Sequence, residues 1–448
     1  MTIAAHTLGC KLNFAETSDT LRRLAAAGHT IVEWDTEADL YIINTCTVTA
    51  VAEKKCRTAI HQAHRRNPKA QIVVMGCFAQ VAAADIEHIP GVTLVLGNDR
   101  KHLLPEIVGS GQWVVGSEAA APKPPSTLNF PPSTFHLQYS SGDRTRTFFK
   151  IQDGCDYFCT YCAIPFARGR SHSATIEETL CMARRIADEG AREVVLTGVN
   201  TGTFGQQRGE SFLDLLRGLD AIEDIERYRI SSIEPNLLTD DIIDFVAHSR
   251  AFLPHFHIPL QAGSDHVLQL MHRRYDTALY RAKLERIKAV MPDACIAADI
   301  MAGFNGENEE EFRKTLDFVD SLPISYLHVF TYSDRPGTAA LRLGEKVPIP
   351  VRHEHTARLL ELSEQKHQAF IQSQLGKTRP VLWESKKVDK SIGPDTSSTH
   401  QPVNVTTFME GWTDNYIRVC RPYDERKVNT VEEVMLSHEN IKREATSD

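Results

Sequence analysis

The sequence predicts an α/β fold in three parts: an open parallel α/β N-terminal domain, a partial (βα)6 barrel and a small C-terminal β-barrel. In the first part, short apolar runs alternate with amphipathic helical patterns. After a proline-rich break the same alternation recurs six times, which implies parallel strands joined by right-handed crossovers. Toward the end, short strand-like runs lie between polar turns, a pattern typical of a small β-barrel.

The N-terminal domain, residues 1–125, contains apolar runs with the length of buried strands. These runs are Ile3–Leu8, Ile31–Trp34, Leu40–Asn44, Ile72–Met75 and Val92–Leu96. Helical patterns cover Ala15–Ala27 and Ala50–Arg66. Strands and helices that alternate in this way form an open parallel sheet, in which the carboxyl ends of the strands share the ligand-binding edge.

Three cysteines, Cys10, Cys46 and Cys77, each follow one of these strands. We therefore expect their thiols to meet at the carboxyl edge of the sheet. A single cysteine after a strand is more often a small buried apolar residue, but its repetition after three strands favours a metal site. Four other cysteines lack such a setting and are interpreted as structural: Cys56, Cys181, Cys295 and Cys420.

A proline-rich stretch places a linker at residues 126–144, before a central domain at 145–374. The strands predicted in this domain are Phe148–Ile151, Glu193–Thr197, Tyr228–Ile233, His255–Leu260, Ile296–Met301 and Tyr326–Thr331. The helices between them are Ile176–Asp188, Phe212–Leu219, Asp240–Ala247, Tyr280–Val290 and Glu309–Leu322. Functional groups of such a barrel are expected at the carboxyl ends of its strands.

The loop after the first barrel strand contains Cys155, Cys159 and Cys162 at the spacing C-x3-C-x2-C. Buried apolar cysteines seldom cluster in a loop that also contains Gly, Asp and Tyr. Structural zinc usually has four ligands, and only His172 is nearby as a fourth. Three thiolates suit a four-iron four-sulfur cluster with one iron left open for another ligand. The loop therefore predicts cluster chemistry.

The segment IQDGCDYFCTYCAIPFARGRSHS resembles the cluster loop of radical S-adenosylmethionine (SAM) enzymes, and specifically of the methylthiotransferases. The phrases TLGCKLNFAET, INTCTVTAVAEKK and MGCFAQ resemble the N-terminal domain of that family. The resemblance implies two 4Fe-4S clusters: one on Cys155, Cys159 and Cys162 that binds SAM and generates a radical, and an auxiliary one on the first three cysteines that handles sulfur. It also implies SAM or substrate contacts at Gly198, Glu234, Gln261, Arg273 and Asp299.

The C-terminal domain, residues 375–440, has strand-like runs at Thr378–Glu384, Val403–Phe408 and Tyr416–Cys420. It resembles the RNA-binding (TRAM-like) β-barrel that ends most methylthiotransferases. Phe408, Trp412 and Tyr416 could stack on bases, and the chain after Glu433 is expected to be frayed. Basic residues could contact phosphates: Lys377, Arg379, Lys386, Lys387, Lys390, Arg418, Arg421, Arg426 and Lys427. The alternative is a small domain with buried aromatic residues and solvated lysines.

A second basic surface is predicted on the helix after Cys46. Its residues are Lys54, Arg57, His61, His64, Arg65 and Lys69, and steps of three or four keep most of them on one face. A solvated face is the alternative to RNA contact. Because the net charge is −8, RNA binding must depend on such local patches.

The resemblance covers nearly the whole chain, and it implies a radical SAM methylthiotransferase that acts on tRNA. The phrase TLGCKLNFAET resembles the subgroup that converts N6-threonylcarbamoyladenosine, next to the anticodon, to its 2-methylthio derivative. Alternatives are isopentenyladenosine in tRNA or a ribosomal-protein aspartate as substrate, an auxiliary cluster that only relays electrons, and an RNA-binding regulator without turnover. We also expect a flavodoxin- or ferredoxin-like reductant, an unassigned sulfur donor, a reducing cytoplasmic location and no membrane span.

Overall fold

The computed structural model describes residues 1–110, 135–142, 145–390 and 406–442. Most of the predicted linker and the beginning of the predicted strand Val403–Phe408 lie outside these residues. Within the described ranges, no helix combines the length and the apolar character that a membrane span would need.

The N-terminal region forms a five-stranded parallel sheet with the strand order β2-β1-β3-β4-β5. The strands are β1 (Thr2–Thr7), β2 (Thr30–Val32), β3 (Leu40–Thr45), β4 (Gln71–Gly76) and β5 (Val92–Leu96). The helices are α1 (Lys11–Ala26), α2 (Ala50–Arg66), α3 (Cys77–Val81), α4 (Ala83–Glu87) and α5 (Leu104–Ser110). This arrangement confirms the open parallel α/β sheet.

Helix α1 begins at Lys11 rather than at the predicted Ala15. The polar side chains of Asn13 and Glu16 interrupt the apolar pattern there, yet both are fully buried. Their burial follows from partners in other parts of the chain, which the local sequence does not reveal.

The central region contains the six parallel strands of the predicted partial barrel and three further short strands. Its strands are β6 (Gln138–Tyr139), β7 (Arg146–Lys150), β8 (Gln152–Asp153), β9 (His172–Ser173), β10 (Glu193–Thr197), β11 (Arg227–Ile230), β12 (His255–His257), β13 (Cys295–Ala302) and β14 (Tyr326–Thr331). The six parallel strands are β7 and β10 to β14. Sheet β6-β7-β10-β11 and sheet β12-β13-β14 are joined by a parallel bridge between Ser232 and His257. Strand β6, inside the predicted linker, pairs antiparallel with β7.

The barrel helices are α6 (Ile164–Arg168), α7 (Ile176–Asp188), α8 (Phe212–Asp220), α9 (Asp240–His248), α10 (Asp265–Leu270), α11 (Thr277–Val290), α12 (Glu309–Ser321) and α13 (Ile349–Gln374). The long helix α13 was not predicted. It buries polar residues, including Arg352 and His355, where an amphipathic pattern would have apolar ones. The His355 ring stacks on Phe312 of α12 at 3.6 Å between centroids.

The C-terminal region is a curled antiparallel sheet with the order β17-β16-β15-β18. Its strands are β15 (Thr378–Lys390), β16 (Thr406–Thr413), β17 (Arg418–Pro422) and β18 (Val431–Met435). The prediction of a frayed chain after Glu433 was wrong for the residues up to 442. Leu436 and Ile441 are buried against Trp383, so apolar burial holds this segment in place.

The three regions pack against one another around the barrel. On one side, Phe14 and Ala15 of α1 pack on Phe148 and Val195 of the barrel strands. In the same sheet, Arg229 of β11 donates to the carbonyl oxygens of Thr413 (2.7 Å) and Asp414 (2.8 Å) of the C-terminal region. The barrel is therefore covered by both neighbouring regions.

Candidate functional site

The first cysteine set lies where the parallel sheet ends. Cys10 follows β1 and caps the start of α1, Cys46 follows β3, and Cys77 begins α3 directly after β4. Because β1, β3 and β4 are neighbours in the sheet, the three thiols are close enough to interact electrostatically. The structure thus brings these cysteines together as the sequence predicted.

The chemistry of this set fits an iron–sulfur cluster. Burial, with smaller contributions from the nearby Cys77 and Cys10, raises the pKa of Cys46 to about 12. Such thiols stay protonated unless a metal displaces their protons, since metal ligation requires thiolates. Asn98 Nδ2 lies 3.5 Å from Cys77 Sγ, within reach to donate to a thiolate. Cys10 is exposed, which leaves this side of the set accessible.

The second cysteine set occupies the loop between β8 and β9. Cys155 N donates to Gly169 O (3.1 Å), which ties the loop to the segment that returns from α6. Burial raises the pKa of Cys155 to about 11 and that of Cys162 to about 12. Gly154 has φ +70°, and a Cβ there would lie 2.0 Å from Arg170 O. Only glycine fits that approach, so Gly154 allows the start of the loop to pack against the segment that follows α6.

Two of the five residues predicted to contact SAM or substrate lie directly at this loop. Arg273 Nη1 donates to Cys159 Sγ at 3.1 Å, and its Nη2 forms a buried ion pair with Glu234. Its Nε donates to the hydroxyl of Tyr275 at 3.0 Å. Since its other contacts fix the guanidinium, Arg273 offers a cation to a thiolate or to a cluster sulfur.

The other three predicted residues are arranged differently. A Cβ on Gly198 would meet Gln152 Oε1 at 2.8 Å, and the Gln152 amide donates to Gly154 O in the cluster loop. Gln261, at φ +67°, donates from its backbone to Asp299 O, and Asp299 Oδ1 lies 2.7 Å from His257 Nε2. Gly198 thus packs against Gln152 beside the loop, whereas Gln261, in the segment after β12, and Asp299 of β13 form a separate group with His257.

A buried ionic network that sequence reasoning missed joins the two cysteine loops. Glu16 of α1 pairs with Lys101, with Lys150 at 2.9 Å and with Arg168 at 3.2 Å. Asp153, just before the Cys155 loop, pairs with Lys150 at 2.8 Å and Arg168 at 2.9 Å. Burial alone would raise the pKa of Glu16, but Arg168, Lys101 and Lys150 hold it well below its usual range. Both carboxylates therefore stay charged.

One signal for this network was present in the sequence. Cys10, Asn13 and Glu16 recur at steps of three, which places them on one face of a helix. Asn13 donates to Leu8 O (2.7 Å) and Thr45 O (3.0 Å) and accepts from Arg168 Nη2 (2.5 Å). Its partners lie before Cys10, before Cys46 and after the Cys155 loop, so their distant positions concealed the network.

A cavity of about 310 Å³ opens between the first cysteine set and the barrel interior. Its wall includes residues of all three regions: Thr7, Gly9, Cys10, Lys11, Phe14, Arg146, Phe148, Val195, Arg229, Ile230, His255 and Tyr416. The Tyr416 ring, which closes one side, stacks on His255 at 4.3 Å between centroids. Lys11 was not predicted as a site residue, although it directly follows Cys10.

The basic residues predicted for the C-terminal RNA surface form ion pairs wherever the structure describes their side chains. The basic residues with described side chains, namely Lys377, Arg379, Arg418, Arg421, Arg426 and Lys427, each pair with a carboxylate. Trp412 and Tyr416 pack with Arg146 of the barrel, at 4.8 and 6.0 Å. These groups hold the sheet to itself and to the barrel.

The four cysteines interpreted as structural divide into two kinds. Cys56, Cys295 and Cys420 are buried, and the Cys56 thiol lies 3.6 Å from Cys46 O. Cys181, by contrast, is exposed on α7. Its helical position is outward-facing, which the amphipathic pattern of α7 could have indicated.

Comparison with known proteins agrees with this arrangement. Residues 2–97 match the model of Uncharacterized protein family UPF0004, and residues 149–319 match that of the Radical SAM superfamily. The structure resembles a cobalamin-binding radical SAM methyltransferase, TsrM, from Kitasatospora setae, with a TM-score of 0.50 over 74% of each chain at 13% identity. That similarity supports the fold of the barrel.

Full-length relatives are more specific. The chain is 37% identical over 442 residues to the threonylcarbamoyladenosine tRNA methylthiotransferase MtaB of Bacillus subtilis, covering 97% of this chain and 93% of that protein. It is 33% identical over 416 residues to a tRNA-2-methylthio-N(6)-dimethylallyladenosine synthase of Syntrophus aciditrophicus, covering 91% and 89%. The fold and the cysteine loops define a radical SAM enzyme. Within that class, the chain belongs to the methylthiotransferase family.

Proposed function

We propose that this protein is a tRNA methylthiotransferase that converts N6-threonylcarbamoyladenosine, next to the anticodon, to its 2-methylthio derivative. The observation that carries the proposal is the pair of three-cysteine sets, held together by the buried network around Glu16 and Arg168. Relatives named for this substrate, from Bacillus subtilis and Aquifex aeolicus, are each 37% identical to the chain.

The proposed mechanism assigns a separate task to each cysteine set. Cys155, Cys159 and Cys162 would hold the cluster that binds SAM, and Cys10, Cys46 and Cys77 would hold an auxiliary cluster. When bound, these groups supply a carbon radical and a methylated sulfur for the replacement of C2–H by C2–S–CH3. Arg273 and Glu234 would position SAM near Cys159, and Gly198 would support the loop. Gln261 and Asp299 would line the pocket for SAM or substrate.

The proposed domains are residues 1–125, 145–374 and 375–440.

Protein side chains would fix the relative positions of the two cysteine sets. The Glu16–Arg168–Asp153 network is fully charged and buried, so it fixes the distance between α1 and the Cys155 loop. Phe14, Phe148 and Val195 cover the side of the barrel and limit the entry of water. The exposed basic residues of α2 would contact the phosphates of the anticodon stem-loop, and a flavodoxin- or ferredoxin-like protein would supply electrons.

Anaerobic reconstitution tests the proposal. Iron, sulfide, SAM and a reductant are added to the protein with a tRNA that contains threonylcarbamoyladenosine, and the nucleosides and 5'-deoxyadenosine are measured by mass spectrometry. We expect the 2-methylthio nucleoside and 5'-deoxyadenosine from the native protein. Cys155→Ala should abolish both, and Cys46→Ala should abolish the methylthio nucleoside while 5'-deoxyadenosine still forms.

The matched control is Cys181→Ala, which removes an exposed thiol of α7 that belongs to neither loop and should leave both products unchanged. Methylthiolation by Cys46→Ala would contradict the role of the first set. Product formed on isopentenyladenosine instead would change the substrate and leave the chemistry in place.

A further inference from the structure

The cavity beside Cys10 carries an unbalanced positive charge. Three cationic side chains, Lys11, Arg146 and Arg229, line it, and its lining contains no carboxylate. Arg146 pairs with Glu384 at 3.0 Å and Arg229 with Glu193 at 2.7 Å. Among the described residues, no carboxylate pairs with Lys11. Its ammonium is thus free to bind an anion that enters the cavity.

Lys11 reaches into the barrel rather than into bulk solvent. It is half-buried, and it interacts electrostatically with His255 of β12, Asp299 of β13, His328 of β14 and Tyr416 of the C-terminal sheet. Asp299, the acid in this group, is already engaged with His257 at 2.7 Å. A charge held in a partly dry cavity interacts more strongly with a ligand than one in water.

A second polar group in the cavity also lacks a partner. His255 is 6% exposed, and neither ring nitrogen has a hydrogen-bond partner among the described residues. Buried polar groups without partners are rare in native proteins, and such groups often mark the place of a ligand. The cavity therefore offers one cation and one imidazole to a polar, anionic group.

The position of the cavity indicates which part of the substrate would supply the anionic group. Cys10 lines it, so it adjoins the cysteine set assigned to sulfur delivery. In adenine, C2 and C6 both flank N1. The N6 substituent therefore extends from the same edge of the base as C2. When C2 faces the first cysteine set, the N6 substituent is close to Lys11. A volume of about 310 Å³ suits a single base substituent.

We infer that Lys11, assisted by His255, binds the carboxylate of the N6-threonylcarbamoyl group and thereby selects this nucleoside over adenosines with an apolar N6 substituent. The inference rests on the proposed function and deepens it, since it assigns specificity to a residue next to a cluster ligand. Lys11 supplies the charge and His255 a hydrogen bond. An isopentenyl group would leave the Lys11 ammonium desolvated without a counter-charge, which disfavours it.

The test compares two substrates on one anticodon stem-loop: threonylcarbamoyladenosine and its neutral methyl ester. Native protein should favour the acid over the ester in kcat/KM by ~10- to 100-fold, the range expected when a charged hydrogen bond is lost. Lys11→Met should bring this ratio close to one by slowing the acid alone. Lys11→Arg should restore most of the preference. Lys314→Met, an exposed lysine on α12, is the control and should keep the native ratio.

Each outcome decides the matter. Equal activity of native protein on acid and ester would overturn the inference without any variant. So would a Lys11→Met variant that slows both substrates equally, or one that loses iron, because Lys11 would then act structurally. Native protein that modifies only isopentenyladenosine would refute the proposed substrate together with the inference, and that result is distinct because no threonylcarbamoyladenosine would be converted.

Discussion

At the scale of single residues, Gly9 determines whether the first cysteine set can form. Its φ is +102°, and a Cβ there would lie 2.9 Å from Cys46 Cβ and 3.1 Å from Cys46 Sγ. We predict that Gly9→Ala displaces the Cys46 thiol and lowers the iron content of reconstituted protein to about half, because the Cys155 set stays intact. Iron analysis and the yield of 5'-deoxyadenosine, which should persist, check this prediction.

Gly28→Ala is the matched control for this variant. Gly28 also has a positive φ, +90°, but a Cβ there meets nothing within 4 Å. The backbone strain of about 1–2 kcal/mol is therefore shared, whereas the contact with a cysteine is not. Full iron content in Gly9→Ala, or equal loss in both variants, would show that contact with Cys46 is unimportant.

The six cysteines were predictable because each set has a local or topological signature. Three thiols share one loop, and three follow strands of a parallel sheet. The partners of Glu16 were not predictable, since Lys101, Lys150 and Arg168 come from distant positions and only the packing of α1 on the barrel brings them together. Lys11 shares this property: its neighbours belong to three other strands and the C-terminal sheet.

At the scale of elements, helix α2 is the basic surface that best retains its charge. Lys54, His61 and Arg65 are exposed, whereas the predicted contact Arg57 is half-buried with its guanidinium 5.1 Å from the Phe78 ring centroid. We predict that Lys54→Glu with Arg65→Glu weakens stem-loop binding roughly tenfold at moderate salt and lowers its salt dependence. Binding titrations at several salt concentrations measure both effects.

The control for this double variant changes the net charge by the same amount at positions outside α2. Arg184 on α7 and Arg313 on α12 are exposed, and Arg184→Glu with Arg313→Glu should leave binding within about twofold if the effect is local. Similar weakening by both pairs would indicate a general charge effect. Unchanged binding in the α2 variant would remove this helix from the RNA interface.

Helices and strands with a clear periodic pattern of apolar residues were predicted well. Strands β5, β10 and β14 and helices α2 and α7 have the predicted bounds. Helix α13 was missed because it buries Arg352, His355 and Ser363, which contact other elements in place of an apolar face. Strand β11 ends at Ile230 and β12 at His257, three residues earlier in each case than predicted.

At the scale of the whole molecule, one buried carboxylate holds the C-terminal sheet to the barrel. Glu193 pairs with Arg227 and Arg229, each at 2.7 Å, and these arginines donate to carbonyl oxygens of Trp412 and Thr413. We predict that Glu193→Gln costs about 3–5 kcal/mol, since two buried arginines lose their counter-charge. Chemical denaturation followed by tryptophan fluorescence measures the loss.

Glu226→Gln is the control, because Glu226 forms an exposed pair with Arg192. Such a pair contributes about 1 kcal/mol or less. Equal stability of the two variants would show that Glu193 does not anchor the sheet.

The same carboxylate predicts a pH dependence. Burial would raise the pKa of Glu193, but Arg229, Arg227 and Arg146 outweigh it and lower the pKa to about 2. A carboxyl whose pKa is lowered by folding stabilises the folded protein at pH values above its pKa in the unfolded chain, about 4.3. This stabilisation is lost as the pH falls toward 2. This one carboxyl should contribute roughly 3 kcal/mol to the loss of stability across this window, and Glu193→Gln should lack that part of the slope.

The placement of the two cysteine sets also dictates an order of maturation. Cys155, Cys159 and Cys162 share a short loop, so a nascent or partly folded chain can gather them at little cost in loop-closure entropy. Cys10, Cys46 and Cys77 are gathered only after β1, β3 and β4 have paired. The first set therefore cannot be assembled before the sheet has paired, and a full-length chain whose sheet has not formed could gather only the second set.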